Sequence, residues 1–322
     1  MKTHTVFGAG QIGLRLATEL VRQGDQVRLV RRGAAGPDRP GITWLSGDAS
    51  DPAFAARACE GSSVVYNCAN PADYHRWDGL LQPLYRSIWR GAAEHGARLV
   101  QLDNLYAVGE PPVAPFDERT PLAPVRAHGE LRRLLFEELM GMHEAGALEV
   151  TVGRASDFFG PASPRVAVFR DDVIARLAAG KAVFLHVAAD MPHSYSYIPD
   201  VVRGLAVLGN HEATTGRVWH LPMAAQLTTR ELLDRFAQRA GHDAARIVTI
   251  PRWLIRGIGL VVPMVRAIDS MSYQWDLPYL ADDGDFRRLL GIAPTPLDTA
   301  IDETLAAVGG AALLAPSQAG AS

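Results

Sequence analysis

Short apolar runs separated by stretches of helical periodicity dominate the first half of the chain. Runs that fit strands fall at about 3–7, 26–31, 42–47, 63–67, 97–102 and 148–154. Between most of them apolar residues recur at helical spacing, as over Leu80–His95 and Leu131–His143. Repeated strand–helix units predict an α/β fold, a doubly wound parallel sheet with right-handed crossovers. Past residue 155 the order changes. Phe159-Gly160-Pro161-Ala162-Ser163-Pro164 reads as a loop, followed by a helix near 166–178 and a strand near 182–187. Pro199–Leu208 fits a helix, Arg217–Leu221 a strand, and from Thr228 onward the pattern is mostly helical, with no internal repeat. Ile255–Ile268 is the most apolar long segment. Interrupted by Arg256, Pro263 and Arg266, it is too short and too charged to span a bilayer, and is expected to form a buried or lid-forming helix.

Composition narrows this picture only at its edges. At 48% hydrophobic and 21% charged residues the chain is ordinary for a soluble globular protein, and its 322 residues suit one large domain or a domain with an appended lobe. A net charge of −3 gives no reason to expect nucleic acid or a membrane as partner. Cys59 and Cys68 form no CxxC and no metal-like spacing, so no metal site is expected and a reducing, cytoplasmic setting is. The chain opens directly on a strand pattern, which leaves no secretory signal in front of it.

Candidate chemistry begins at Gly8-Ala9-Gly10-Gln11-Ile12-Gly13, between the run Thr5-Val6-Phe7 and an amphipathic stretch from Ile12 to Leu20. In a strand–turn–helix setting Gly8 permits the tight turn and Gly10 lets the backbone approach a pyrophosphate. Gly13 allows helix and strand to pack closely, while the helix start offers free N–H groups to an anion. An ordinary tight turn is the plainer alternative. A dinucleotide-binding domain is expected over residues 1–160, with contributions from about 181–222. A smaller, mostly helical substrate lobe should comprise 161–180 and 223–310, with a frayed tail at 311–322. The second strand ends in Arg31-Arg32 with no acid, which suits a 2′-phosphate and favours NADP, with NAD possible; a solvated basic turn is the rival reading. Gly47-Asp48 ends the third strand, where Asp48 could cap a helix or meet the adenine amino group. Asn67-Cys68-Ala69-Asn70-Pro71 ends the fourth, where Cys68, Ala69 and Asn70 would let the backbone run beside a ribose.

These stations, with Leu105-Tyr106-Ala107-Val108-Gly109, Asp117-Glu118-Arg119-Thr120-Pro121, Arg154-Ala155-Ser156-Asp157-Phe158-Phe159-Gly160-Pro161 and Tyr197-Ile198-Pro199-Asp200-Val201, fall in one order over nearly the whole chain. Together they resemble the extended short-chain dehydrogenase/reductase superfamily of the NAD-dependent epimerase/dehydratase type. The resemblance implies a Ser/Thr and a YxxxK pair, in which the tyrosine moves a proton at the substrate oxygen while the lysine lowers its pKa and holds the ribose. This chain departs there. Its two lysines, Lys2 and Lys181, never follow a tyrosine by four. Counting from Thr120-Pro121 puts the pair on His128 and Arg132, and the Ser/Thr station reads Asp103-Asn104. One helical turn apart, His128 and Arg132 could share a cleft, His128 moving a proton and Arg132 binding ribose hydroxyls or a carboxylate. Asp103 could orient His128 or take a proton itself, and Tyr106 is an alternative acid. The plainer reading makes His128 a helix start and Arg132 a surface charge. His193, Tyr195 and Tyr197 are expected to line the cleft or pack. Tyr74, His75, Trp77 and the Trp275 region supply apolar walls or core.

The resemblance therefore implies an NAD(P)-dependent oxidoreductase or epimerase-like enzyme with a non-standard acid/base, acting on a small hydroxyl or carbonyl substrate, as a possible homodimer. A non-catalytic NADP(H)-binding sensor or scaffold, or a non-redox lyase or isomerase on the same fold, are the alternatives.

Overall fold

The computed structural model describes residues 1–71, 73–161 and 168–314. The chain starts with β1 (Thr3–Phe7), α1 (Gln11–Arg22), β2 (Gln26–Arg31), β3 (Ile42–Ser46), α2 (Pro52–Cys59) and β4 (Val64–Asn67). It continues through α3 (Trp77–Glu94), β5 (Arg98–Asp103), α4 (Ala127–Glu144), β6 (Val150–Arg154), β7 (Asp157–Phe159), α5 (Asp171–Ala178) and β8 (Val183–Leu185). Then come β9 (Pro192–Tyr197), α6 (Ile198–Asn210), β10 (Arg217–His220), β11 (Ala225–Thr228), α7 (Thr229–Arg239) and β12 (Ile247–Thr249). Four helices complete the chain: α8 (Arg252–Gly259), α9 (Pro263–Ser270), α10 (Gly284–Leu290) and α11 (Leu297–Leu314).

Seven strands form one parallel sheet in the order β10-β6-β5-β4-β1-β2-β3, the doubly wound architecture expected from the alternating pattern. Alternation along each strand splits the core between the two faces. Phe7, Val30, Val65 and Leu99 pack under α2, α3 and α4, while Val6, Leu29, Tyr66 and Val100 meet α1 and α6. Leu16 and Leu20 of α1 are fully buried there, each stabilising the fold by roughly 1.5–3 kcal/mol. The direction of winding reverses between β1 and β4, so a crevice opens outside their carboxyl ends. That is where the glycine turn lies.

A second core gathers around Phe159, Phe169, Leu232, Phe236 and Ile301, beneath α5, α7 and α11. Two small sheets, β11-β9-β7 and β12-β8, border it. Within 181–222, α6 and β10 join the central sheet, whereas β8 and β9 pair elsewhere. Four readings change. The loop expected from Phe159 starts later, since Phe159 closes β7; its residues 162–164, and the first positions of the helix expected near 166–178, lie outside the described residues. β9 went unread as a strand because His193, Ser194 and Ser196 are buried polar residues and give no apolar run. Ile255–Ile268 is not one helix and only partly buried: α8 and α9 are separated by Leu260-Val261-Val262, whose side chains are exposed, while Ile255, Gly259 and Ala267 face the protein. Pro263 explains the break, as it supplies no N–H to continue α8 and its ring suits the first turn of α9. Residues 311–314, expected to fray, are helical, and 315–322 lie outside the described residues. Among the described residues no helix is long and apolar enough to cross a membrane, and no cluster of His, Cys, Asp or Glu is placed to hold a metal.

Candidate active site

A cavity of about 360 Å³ fills the crevice between β1 and β4. Every residue proposed from sequence to hold the dinucleotide lines it: Gly8, Gly10, Gln11, Ile12, Gly13, Arg31, Arg32, Asp48, Cys68, Ala69 and Asn70. The glycines are required for distinct reasons. Gly8 has φ of +97°, and a Cβ there would lie 2.8 Å from the backbone of Ala69. A Cβ on Gly13 would strike the Gly8 carbonyl oxygen. At Gly10 a Cβ would meet nothing within 4 Å, so the position faces open cavity at the N-terminus of α1. No side chain caps that helix and no acid occupies its first turn, which leaves its N–H groups and positive dipole end for an anion. These residues fit a dinucleotide pyrophosphate. At the other end Arg31 lies 5.9 Å over the Trp44 ring, and no carboxylate pairs with Arg31 or Arg32 among the described residues. Asp51 caps α2, whereas Asp48 Oδ1 accepts the Ser50 N–H within the cavity wall.

Arg132 does not reach into this cavity. It is 2% exposed, donating to Asn70 Oδ1 at 2.8 Å, Tyr85 Oη at 2.6 Å and Asp103 Oδ1 at 3.2 Å, with Trp77 over its guanidinium. Asp103 supplies the reason: a buried carboxylate at the end of β5 draws in both Arg132 and, at 3.6 Å, Arg154. The ribose or carboxylate contact expected of Arg132 is replaced by an internal one, relayed to the cavity wall through Asn70.

His128 also turns inward. Its ring stacks on Tyr74 with centroids 4.4 Å apart, and Nε2 lies 3.1 Å from the Tyr74 carbonyl oxygen. A carbonyl only accepts, so Nε2–H donates and Nδ1 is the remaining site for a proton. Burial holds the His128 pKa below the ordinary histidine value.

A second, smaller cavity of about 50 Å³ has room for a hydroxyl or carbonyl group rather than a whole ligand. Tyr74, Tyr106, Asp157, His186, Met271 and Trp275 are among its walls. Phe158 lines the first cavity and its neighbour on β7, Asp157, lines this one. The Tyr74 hydroxyl is buried and interacts with the Tyr106 hydroxyl, without a hydrogen bond of good geometry among the described residues. Burial pushes the Tyr106 phenol up to about 12, Tyr74 higher still, and His186 down. Asp157 Oδ2 meets His193 Nε2 at 2.8 Å, while His193 Nδ1 faces the Gln274 carbonyl oxygen at 3.3 Å. Both ring nitrogens thus face acceptors. Nδ1 donates to the carbonyl, and a second proton lies between Nε2 and the carboxylate. The ring of His193 is clamped between Trp275 and Tyr279.

Of the cleft-lining expectations, Trp275 and Tyr74 reach the second cavity. His193, Tyr195 and Tyr197 line neither: Tyr195 bonds Thr229, Tyr197 bonds Glu303, and His193 acts through Asp157. Trp77 covers Arg132, and His75 is exposed. Asp157 and His186 carried no assigned role in the sequence; the one signal for Asp157 was its place just beyond the end of a sheet strand.

A sequence model of the NAD dependent epimerase/dehydratase family matches residues 5–221. No curated protein sequence matches the chain. Among solved structures, UDP-glucose 4-epimerase from Thermotoga maritima, with UDP-glucose, aligns at a TM-score of 0.77 and 17% identity, covering 96% of this chain and 99% of that one. A dTDP-glucose 4,6-dehydratase double mutant from Streptomyces venezuelae, with NAD bound, gives 0.76 and 19%, covering 95% and 96%. The Bordetella bronchiseptica enzyme WbmH in complex with NAD+ gives 0.72 and 18%, covering 95% and 98%. At these identities the likeness is one of fold.

Proposed function

The chain belongs to the NAD-dependent epimerase/dehydratase family, and on that premise we propose that it is an NADP(H)-preferring enzyme that oxidises or reduces a small hydroxyl or carbonyl substrate. Arg31 and Arg32, free of carboxylate partners at the ribose-reading end of the first cavity, support NADP over NAD. The dinucleotide, when bound, supplies the hydride acceptor or donor. The protein's own residues supply orientation and one proton. The Tyr74 and Tyr106 hydroxyls hold the substrate oxygen in the second cavity. Asp157, carrying a carboxylate stabilised by His193 Nε2–H, takes the hydroxyl proton as the carbonyl forms and returns it in reverse. A phenol pushed up to about 12 is a poor base at neutral pH, so Tyr106 serves as donor rather than base. His128 holds Tyr74 in place by stacking and by its bond to the Tyr74 carbonyl.

The observation that carries this reading is a cavity sized for one polar group that Tyr74, Tyr106 and Asp157 line together. The test is Asp157→Asn. Turnover on a carbonyl substrate panel, followed by the near-ultraviolet absorbance of NADPH, is expected to fall by about 10²–10⁴ with the Kd for NADPH unchanged. Unaltered turnover would remove Asp157 from the chemistry. The inward commitment of Arg132 and His128 favours one second reading, a dinucleotide sensor. It gains if NADPH binds tightly and the whole panel stays unreduced.

A further inference from the structure

The hairpin formed by α8 and α9 carries its apolar residues on the wrong side for a water-soluble helix pair. Ile255 and Gly259 face the protein, whereas Trp253, Leu254, Ile258 and Val261 recur at helical spacing on the opposite, solvent side. Trp253 is 74% exposed, Leu260 82% and Val261 80%. Isolated exposed apolar residues need no explanation, but a continuous stripe ending in a Leu-Val-Val tip does. The charges around it lean to one sign: from Asp243 to Ser270 the chain holds four arginines, Arg246, Arg252, Arg256 and Arg266, against two acids, Asp243 and Asp269, within a protein whose net charge is −3. Arg252 and Arg256 lean back toward Asp269 and Asp276 at the base of the hairpin, yet the Arg256 side chain stays 68% exposed. Arg246 and Arg266 are exposed and pair with no carboxylate among the described residues.

We propose that this hairpin is a docking surface for an anionic lipid bilayer, lying in the interface with Trp253, Leu260 and Val261 inserted and the arginines at headgroup level. An apolar stripe, a tryptophan and a rim of arginines are the combination that holds an amphipathic segment in the plane of a membrane. A second copy of the chain is the poorer occupant. A two-fold contact would set the same arginines against themselves, and the one acid of the hairpin, Asp269, already faces Arg252 and Arg256. The net charge of the whole chain is negative, but charge within a Debye length of the contact counts most, and in the hairpin Arg252, Arg256 and Arg266 outnumber Asp269. The proposal concerns docking on the surface, not spanning, and is independent of the reaction assigned above.

Sedimentation of the full chain with vesicles of phosphatidylcholine, with and without phosphatidylglycerol, tests it. Binding is expected to the phosphatidylglycerol vesicles, to weaken with salt, and to be slight on phosphatidylcholine alone. Leu260→Ser with Val261→Ser is expected to reduce it by about tenfold or more, since two apolar side chains no longer enter lipid. Arg256→Glu with Arg266→Glu should abolish the preference for phosphatidylglycerol. All four positions are exposed, so circular dichroism and NADPH affinity should match the parent. Failure of the parent to sediment with either vesicle would overturn the proposal. So would equal binding to both vesicles, or a dimer in solution that the serine variant dissolves while vesicle binding is absent.

Discussion

Arg31 and Arg32 stand at the end of β2, exposed, in the wall of the first cavity and unpaired by carboxylates. Replacing both with alanine is expected to weaken NADPH binding by about 1.5–3 kcal/mol, the worth of hydrogen bonds to a charged group, and to leave NADH binding nearly intact. Titration calorimetry with both cofactors measures the difference; equal losses would mean the arginines do not read the 2′-phosphate. The place of these two residues in the cavity wall was legible in the sequence because it needs only a position after a strand. The pairing of Asp157 was not. It involves His193, thirty-six positions away, and exists only once β7 and β9 lie side by side. Arg132 failed in the opposite sense: its position on α4 was readable, but whether it faces the cavity or the core was decided by Asp103 and Asn70 on other strands.

The β1–α1 turn separates a binding role from a folding role within six residues. Gly10→Val puts a side chain into open cavity, so the protein should remain folded by circular dichroism and lose dinucleotide binding. Gly13→Val drives one into the Gly8 carbonyl, so the thermal transition itself should drop. A Gly10→Val protein that still binds NADPH would exclude this turn as the phosphate site. At this scale the sequence reads well where an element is long and periodic. β1 to β6 and α3, α4 and α6 lie close to their expected ranges, because burial on one or both faces imprints a repeat. The strands β7 and β12 are three residues each, too short to show a period. In α8 and α9 the apolar stripe is present but turned outward, and periodicity alone does not report which side is wet.

Across the whole molecule, His4, His128, His186 and His220 are all held below the ordinary histidine pKa, with burial the leading cause in each. His220 is lowered to about 4; its Nδ1–H donates to the Asp282 carbonyl and its Nε2 has no partner. The native state therefore refuses protons that the unfolded chain takes up near pH 6.5. This stability is fully present above that value and lost as pH falls toward 4, by roughly 3 kcal/mol for His220 alone. Urea unfolding across that window, with His220→Gln as comparison, checks the sign: the variant should show the shallower decline. A decline of equal slope in both would assign it to other groups. Fold class and cofactor cavity could be read from one sequence because many positions repeat the same message. The smaller cavity rests on a handful of long-range contacts that do not.

Under the carboxyl edge of the sheet, two guanidiniums share one carboxylate, so Asp103, Arg132 and Arg154 together leave a positive charge buried beside Asn70 in the cavity wall. Guanidinium holds its proton across the whole working range, so this charge is a permanent bias rather than a titratable one. Its sign would oppose a cationic nicotinamide ring and be indifferent to the neutral dihydro form, so it is expected to raise the midpoint potential of a bound couple. The reduced dinucleotide should bind more tightly than the oxidised one, in a ratio that stays flat with pH. Equal dissociation constants for the two forms would mean the field is spent before it reaches the ring.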